Sequence, residues 1–236
     1  MRNPLSNFVS SIFLMTRFIG ALILLMFNVT VYAALFSGDV KDTNGTAVFD
    51  VVITVYPTQA EQALTPLVQT THKQPEVIDQ VNREFIGHVQ VIRKNDSVTF
   101  PNNDNIKHHV YSFSPAKRFE IKLYNGDSSQ TIRFEKEGVV VLGCNIHDWM
   151  VAYIYVADTP YFTKTDVNGH WSIELPANDY KINLWRYDFD MVDASTSKFF
   201  KVVNGNNVSD ETVKLKSHHL SGKAPPLLEQ GYQSEP

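Results

Sequence analysis

Cysteine is the scarcest chemistry-bearing residue in this 236-residue chain: there is one, Cys144. One thiol makes no internal disulfide, so no covalent staple is available, and a free thiol in an oxidising compartment is a liability unless something occupies it. Charge is also sparse, at 19% of residues with a formal net charge of −4. No long basic run stands out, which argues against a phosphate backbone and hence nucleic acid as partner. There is no convincing long amphipathic helical pattern, and after the first 33 residues no apolar stretch reaches membrane-spanning length.

What the chain does have is 43% hydrophobic residues, enough to build one large or two small globular domains. Residues 1–33 read as an export signal: Arg2 and Arg17 precede the apolar run from Phe18 to Phe27, and Val31-Tyr32-Ala33 offers small residues for cleavage, placing the mature start at Ala34. The rival reading is a retained N-terminal anchor, because the run continues through Val29 and Val31. Cleavage takes two basic residues and no acidic one from the total of −4, leaving −6. The expected location is exported, in the periplasm.

From Ala34 onward the pattern is β. Short runs rich in Val, Ile, Thr, Phe and Tyr alternate with Asn, Asp, Gly and Pro clusters. Strands are expected over 48–56, 87–92, 97–100, 107–113, 119–123, 131–134, 139–142, 151–156, 171–175 and 180–185, and that many short strands argues for all-β sandwiches. Asp42-Thr43-Asn44-Gly45 and Asp166-Val167-Asn168-Gly169 each predict a hairpin with a type I′ turn. Neither has the ligand pattern of a calcium loop. Asp158-Thr159-Pro160 marks a boundary, since proline does not continue a central strand. The expected organisation is residues 34–60 and 158–216 combining into an accessory β unit, a second domain over 77–157 inserted between them, and a flexible tail over 217–236.

The informative stretch is Gly143-Cys144-Asn145-Ile146-His147-Asp148-Trp149-Met150, which sets a thiolate, an imidazole and a thioether three residues apart. Thiolate and thioether suit Cu(I), imidazole suits Cu(II), and a trigonal His₂Cys set with a long axial Met is the donor set of one-electron copper sites. The fourth donor has to come from elsewhere. Upstream, the polar turn Asn102-Asn103-Asp104-Asn105 leads into a strand that opens with His108-His109, and alternation points only one of these at the metal. Zinc on His₂Cys plus water is the alternative metal, and the methionine argues against it. His72, His88, His170, His218 and His219 lack partners at ligand spacing and are expected to be solvated.

These residues resemble the plastocyanin and amicyanin group of cupredoxins. The likeness lies in Asn102-Asn103 with His108-x-Val110, followed by Cys144-x-x-His147-x-x-Met150 with Trp149 just before the methionine. The region 77–185 is also similar to bacterial exported proteins called methylamine utilization proteins or plastocyanin-like domain proteins. The resemblance implies a cupredoxin-type Greek-key β-sandwich plus a small carboxypeptidase-regulatory-like, Ig-like β unit. It implies one mononuclear type 1 copper on His108, Cys144, His147 and Met150, with His109 left as the alternative upstream ligand. His109 falls where the family carries an asparagine that braces the copper loops. Gly143 falls where many members carry a bulkier residue, which implies looser packing behind the thiolate.

The expected function is single-electron transfer to or from a redox protein, a cytochrome or a dehydrogenase, with no substrate bond made or broken, so not an enzyme. The alternatives are a copper module for storage, delivery or sensing, a copper enzyme, for which the further histidines of a second centre are not found, and a structural β-sandwich with a vestigial site.

Overall fold

In a stretch such as Val151-Ala152-Tyr153-Ile154-Tyr155-Val156, every second residue is small or aliphatic, and Ala152, Ile154 and Val156 are the ones that go inside. The same rule writes most of the chain in the computed structural model, which describes residues 33–58, 74–126, 130–189, 197–203 and 207–214. The expected export signal (apart from Ala33), the expected tail, and His72, His218 and His219 lie outside the described residues. Among the described residues there is no helix, and none long and apolar enough to cross a membrane.

In chain order the strands are β1 (Ala33–Asp42), β2 (Val52–Pro57), β3 (Glu76–Val77), β4 (Gln80–Val81), β5 (Glu84–Phe85), β6 (Val89–Arg93), β7 (Ser97–Thr99), β8 (His108–Ser114) and β9 (Lys117–Tyr124). There follow β10 (Thr131–Arg133), β11 (Gly138–Gly143), β12 (Val151–Ala157), β13 (Tyr161–Lys164), β14 (His170–Pro176), β15 (Asn178–Trp185), β16 (Ser197–Val202), β17 (Asn207–Val208) and β18 (Glu211–Val213).

The described residues are all-β, and their sheets enclose two hydrophobic cores. A five-stranded sheet ordered β6-β12-β11-β8-β9 faces the sheet β10-β7-β3 and the hairpin β4–β5. Between them lie Phe100, Phe134, Leu142, Met150 and Ile154, each fully buried. Burial of each large apolar side chain contributes about 1.5–3 kcal/mol before the entropy of ordering is counted. The second core, around Phe36, Ile53, Trp171, Tyr180 and Ile182, is made where β14-β1-β17 packs on β13-β2-β15-β16. Here β1 runs antiparallel to β14, and β2 antiparallel to both β13 and β15.

Several expectations are corrected by local chemistry. The strand expected from Val48 starts only at Val52, because Asp50 takes φ 58°. The buried Thr165 hydroxyl replaces the ladder there, accepting from Val51 N at 2.9 Å and donating to Val48 O at 2.9 Å. Neither Asn-Gly loop is type I′, since only Gly45 and Gly169 have positive φ, at 83° and 75°. Each glycine N–H donates to the carbonyl of the aspartate three residues before it, a type I turn followed by a left-handed glycine. The aspartate carboxylates select this turn: Asp42 Oδ1 accepts from Asn44 N and Thr46 N, and Asp166 Oδ1 accepts from Asn168 N and His170 N.

His88 is not solvated. Its half-buried ring stands edge-on to both Tyr153 and Tyr187, and burial lowers its pKa below the ordinary 6.5. It belongs to an aromatic seam between the two sandwiches, where Tyr153 stacks on Tyr187 and both Tyr153 and Tyr155 meet Trp185. Lys164 fastens the same seam, with Nζ 2.6 Å from Asp50 Oδ1 and 2.7 Å from Val89 O.

Candidate metal centre

Three elements converge at one end of the sandwich that contains Cys144. β8 opens with His108, β11 ends at Gly143 just before Cys144, and the loop 144–150 returns the chain to β12. Pairing of Gly143 with both Val151 and Tyr111 closes the loop mouth and brings the start of β8 alongside. Within the loop, Met150 N donates to His147 O at 3.0 Å, which turns the chain tightly enough to present Cys144, His147 and Met150 from one side.

The ligand atoms of His108, Cys144 and His147 lie within 4.8 Å of one another, and no other such group of His, Cys, Asp and Glu occurs among the described residues. Cys144 Sγ is 3.9 Å from His108 Nδ1 and 3.8 Å from His147 Nδ1. The His108 and Cys144 side chains are buried, His147 is half-buried, and Met150 is buried in the same core as the cysteine. Two imidazole nitrogens facing one sulfur, with a thioether on the same loop, is a donor set that fits copper.

Of the adjacent histidines, only His108 joins this cluster. His109 points to the opposite face of the sheet, with Nε2 3.0 Å from Glu120 Oε1 and its ring edge-on to Tyr111. That pair lacks hydrogen-bond alignment, and the partly exposed Glu120 adds little.

A buried imidazole without a partner would cost about 1–3 kcal/mol. His108 meets this demand through Asp104, whose Oδ2 is 3.0 Å from Nε2. The hydrogen bond from His108 is the leading cause that holds the Asp104 carboxyl below the usual range, against a smaller opposing effect of burial, and bonds from Arg83 N and Asn105 N add to it. An ionised carboxylate only accepts, so Nε2 carries the proton of this bond, and Nδ1 is the ring nitrogen that faces the sulfur. Burial is the leading cause that lowers the pKa of His147, with smaller contributions from His108 and Arg83 against an opposing one from Asp104, and this favours the neutral ring that a metal ligand requires.

The upstream loop is braced by Asn102. This fully buried amide donates to Ile106 O at 2.9 Å and Tyr124 O at 2.8 Å, and its oxygen accepts from Asp104 N at 3.0 Å. Packing behind the thiolate is not loose either: a Cβ on Gly143 would sit 2.8 Å from Tyr111 Cζ, so the tyrosine ring occupies the space a larger residue would take. The polar run 102–105 was a visible signal for Asn102 and Asp104. Nothing in the sequence pointed to Tyr111.

No protein-family model matches the chain, and no curated protein matches it significantly. Among solved structures it is similar to a novel purple cupredoxin from Nitrosopumilus maritimus, with 22% identity and TM-score 0.32 over 35% of this chain and 99% of that one. It is similar to amicyanin from Paracoccus versutus, with 16% identity and TM-score 0.33 over 44% of this chain and 97% of that one. A copper-containing nitrite reductase from Thermus scotoductus matches with 23% identity and TM-score 0.34 over 36% of this chain, which spans 23% of that enzyme.

Proposed function

We propose that the chain is an exported, periplasmic electron carrier that holds one mononuclear type 1 copper through His108, Cys144, His147 and Met150. The observation that carries this reading is the pair of histidine Nδ1 atoms at 3.9 and 3.8 Å from one buried sulfur. When bound, copper supplies a one-electron couple between Cu(I) and Cu(II). The chain supplies two imidazoles, a thiolate and a thioether on a braced frame, and it shields the sulfur from water. Because His108 is fixed by Asp104, and its loop by Asn102, little rearrangement accompanies a change of metal charge.

The half-buried His147 is the side of the centre nearest solvent, and Ile146 and Trp149 beside it are 46% and 58% exposed. That supports transient docking of a redox protein, a cytochrome or dehydrogenase, through a small contact. No substrate bond is made or broken in this reading. The domain assignment that goes with it makes residues 77–157 the copper module and joins 34–60 to 158–216 as the accessory unit, supported by the pairing of β1 with β14 and of β2 with β15. Kinship with the methylamine utilization proteins is part of the same reading and rests on the motif resemblance.

The test is reconstitution of the purified protein with one equivalent of Cu(II), followed by visible and electron paramagnetic resonance spectra. An intense thiolate-to-copper band is expected for wild type and His109→Ala, and its loss in Cys144→Ser and His108→Ala. A wild-type protein that stays colourless and takes up no copper overturns the reading.

A further inference from the structure

The hairpin β4–β5 belongs to neither ligand loop, yet it touches both. Its two-residue turn, Asn82-Arg83, has both residues at positive φ, 53° and 62°. That is type I′ geometry built without glycine, a conformation strained for residues with a side chain, which persists where its surroundings hold it. What holds it is the main chain of Arg83. Its N–H donates to Asp104 Oδ2 at 2.7 Å, and its carbonyl accepts from the Trp149 indole Nε1 at 3.2 Å. Asp104 bonds His108 of the upstream loop, and Trp149 lies between His147 and Met150 in the downstream one, its ring 5.0 Å from that of His147. One residue therefore bridges the two segments whose donors must meet. The hairpin is itself tied down, because the buried Gln80 amide donates to Pro101 O at 3.0 Å and to Tyr124 OH, and Asp79 Oδ2 accepts from Asn103 Nδ2 at 2.7 Å.

We infer that the Asn82-Arg83 turn is a clasp that sets the distance between the two ligand loops, with Asp104 and Trp149 as its positioning residues. The inference rests on the copper reading for its consequence and on the chain's own hydrogen bonds for its geometry. Asp104 acts on His108 directly and also through the clasp, whereas the Trp149 indole N–H, as distinct from the ring that lies beside His147, acts on the centre through Arg83 alone. Removing the indole N–H therefore matters only while Asp104 holds the other side of the turn.

The experiment is a double-mutant cycle on copper affinity in the full-length protein, with electron paramagnetic resonance of each variant and amide exchange of each metal-free form. Trp149→Phe, which keeps an aromatic ring beside His147, is expected to lose about tenfold in affinity, and Asp104→Ala up to about a hundredfold, the range of outer-sphere partners. The double variant is expected to match Asp104→Ala alone. Independent, additive losses overturn the clasp. Trp149→Phe should also change the copper hyperfine splitting, while Gly45→Ala, a destabilised variant in the accessory sandwich, should not. A hyperfine change common to both would reduce the effect to lost stability and overturn the inference. In the metal-free protein the Arg83 amide should exchange at least about tenfold more slowly than in Asp104→Ala, as a bonded amide does. Equal rates sink the clasp whether or not copper binds, and a wild type that binds no copper but protects this amide sinks the copper reading alone.

Discussion

The two sandwiches are built from the same kind of strand and put different things inside. The one around Trp171 is sealed by large aromatics, and its buried hydroxyls at Thr159 and Thr165 are spent on backbone bonds within it. The one around Phe100 is equally apolar through most of its length, but at one end it buries Gln80, Asn102, His108 and Cys144 together. Buried polar groups are costly unless bonded. The side-chain N–H groups of Gln80 and Asn102 and the imidazole of His108 are hydrogen-bonded around the site, which leaves the sulfur and the two Nδ1 atoms facing one another. The contrast shows how an ordinary sandwich becomes a candidate metal centre: polar groups are added at one end and held there by side-chain and backbone hydrogen bonds.

Substitutions can separate the two cores. Trp171→Ala is expected to cost roughly 3–5 kcal/mol in urea denaturation while leaving the copper spectrum of the folded fraction unchanged. Asn102→Ala should cost less, about 2–3 kcal/mol, since three hydrogen bonds are lost from a buried site. Its copper band should nevertheless shift, and an unshifted band would mean that the loop does not depend on this brace.

The twin Asp-x-Asn-Gly loops give a comparison within the accessory sandwich. A Cβ at Gly169 would meet Val40 O at 2.5 Å, whereas at Gly45 it meets nothing within 4 Å. Gly169→Ala should therefore lower stability by roughly 2–4 kcal/mol, backbone conformation and clash together, and Gly45→Ala by about 1–2 kcal/mol from conformation alone. Equal melting temperatures would show that the loops are not differently packed.

The smallest effect belongs to the seam. His88 is held neutral by burial, and Asp50, Arg186, Asp188, Tyr153 and Tyr187 are the charged and titratable groups near it. Below pH 6.5 the unfolded chain takes up a proton there that the folded chain resists. Stability should fall as pH drops through 6.5 toward the lowered folded value and level off below it. His88→Gln should remove that component of the pH profile, and an unchanged profile would place the titration elsewhere.

Much of this was legible. The strands over 151–156 and 180–185 follow from alternation, and the loop from Cys144 to Met150 shows its candidate donors by spacing. The turn at Asp42 was misread because Asn-Gly suggests one turn type, while the aspartate ahead of it enforces another through two side-chain hydrogen bonds. Tyr111 and Arg83 were invisible for a different reason. Tyr111 matters through the space above Gly143, and Arg83 through its main chain, and neither leaves a mark on residue type.

By itself the sequence determined a candidate thiolate, imidazole and thioether set at Cys144, His147 and Met150 and a β context able to present it, because these depend on side-chain chemistry and on a period of two along the chain. Only the tertiary structure decided which of His108 and His109 faces the sulfur. Alternation separates neighbouring side chains onto opposite faces, but packing and sheet register choose which face is inside, and they turn His108 toward Cys144 and leave His109 beside Glu120.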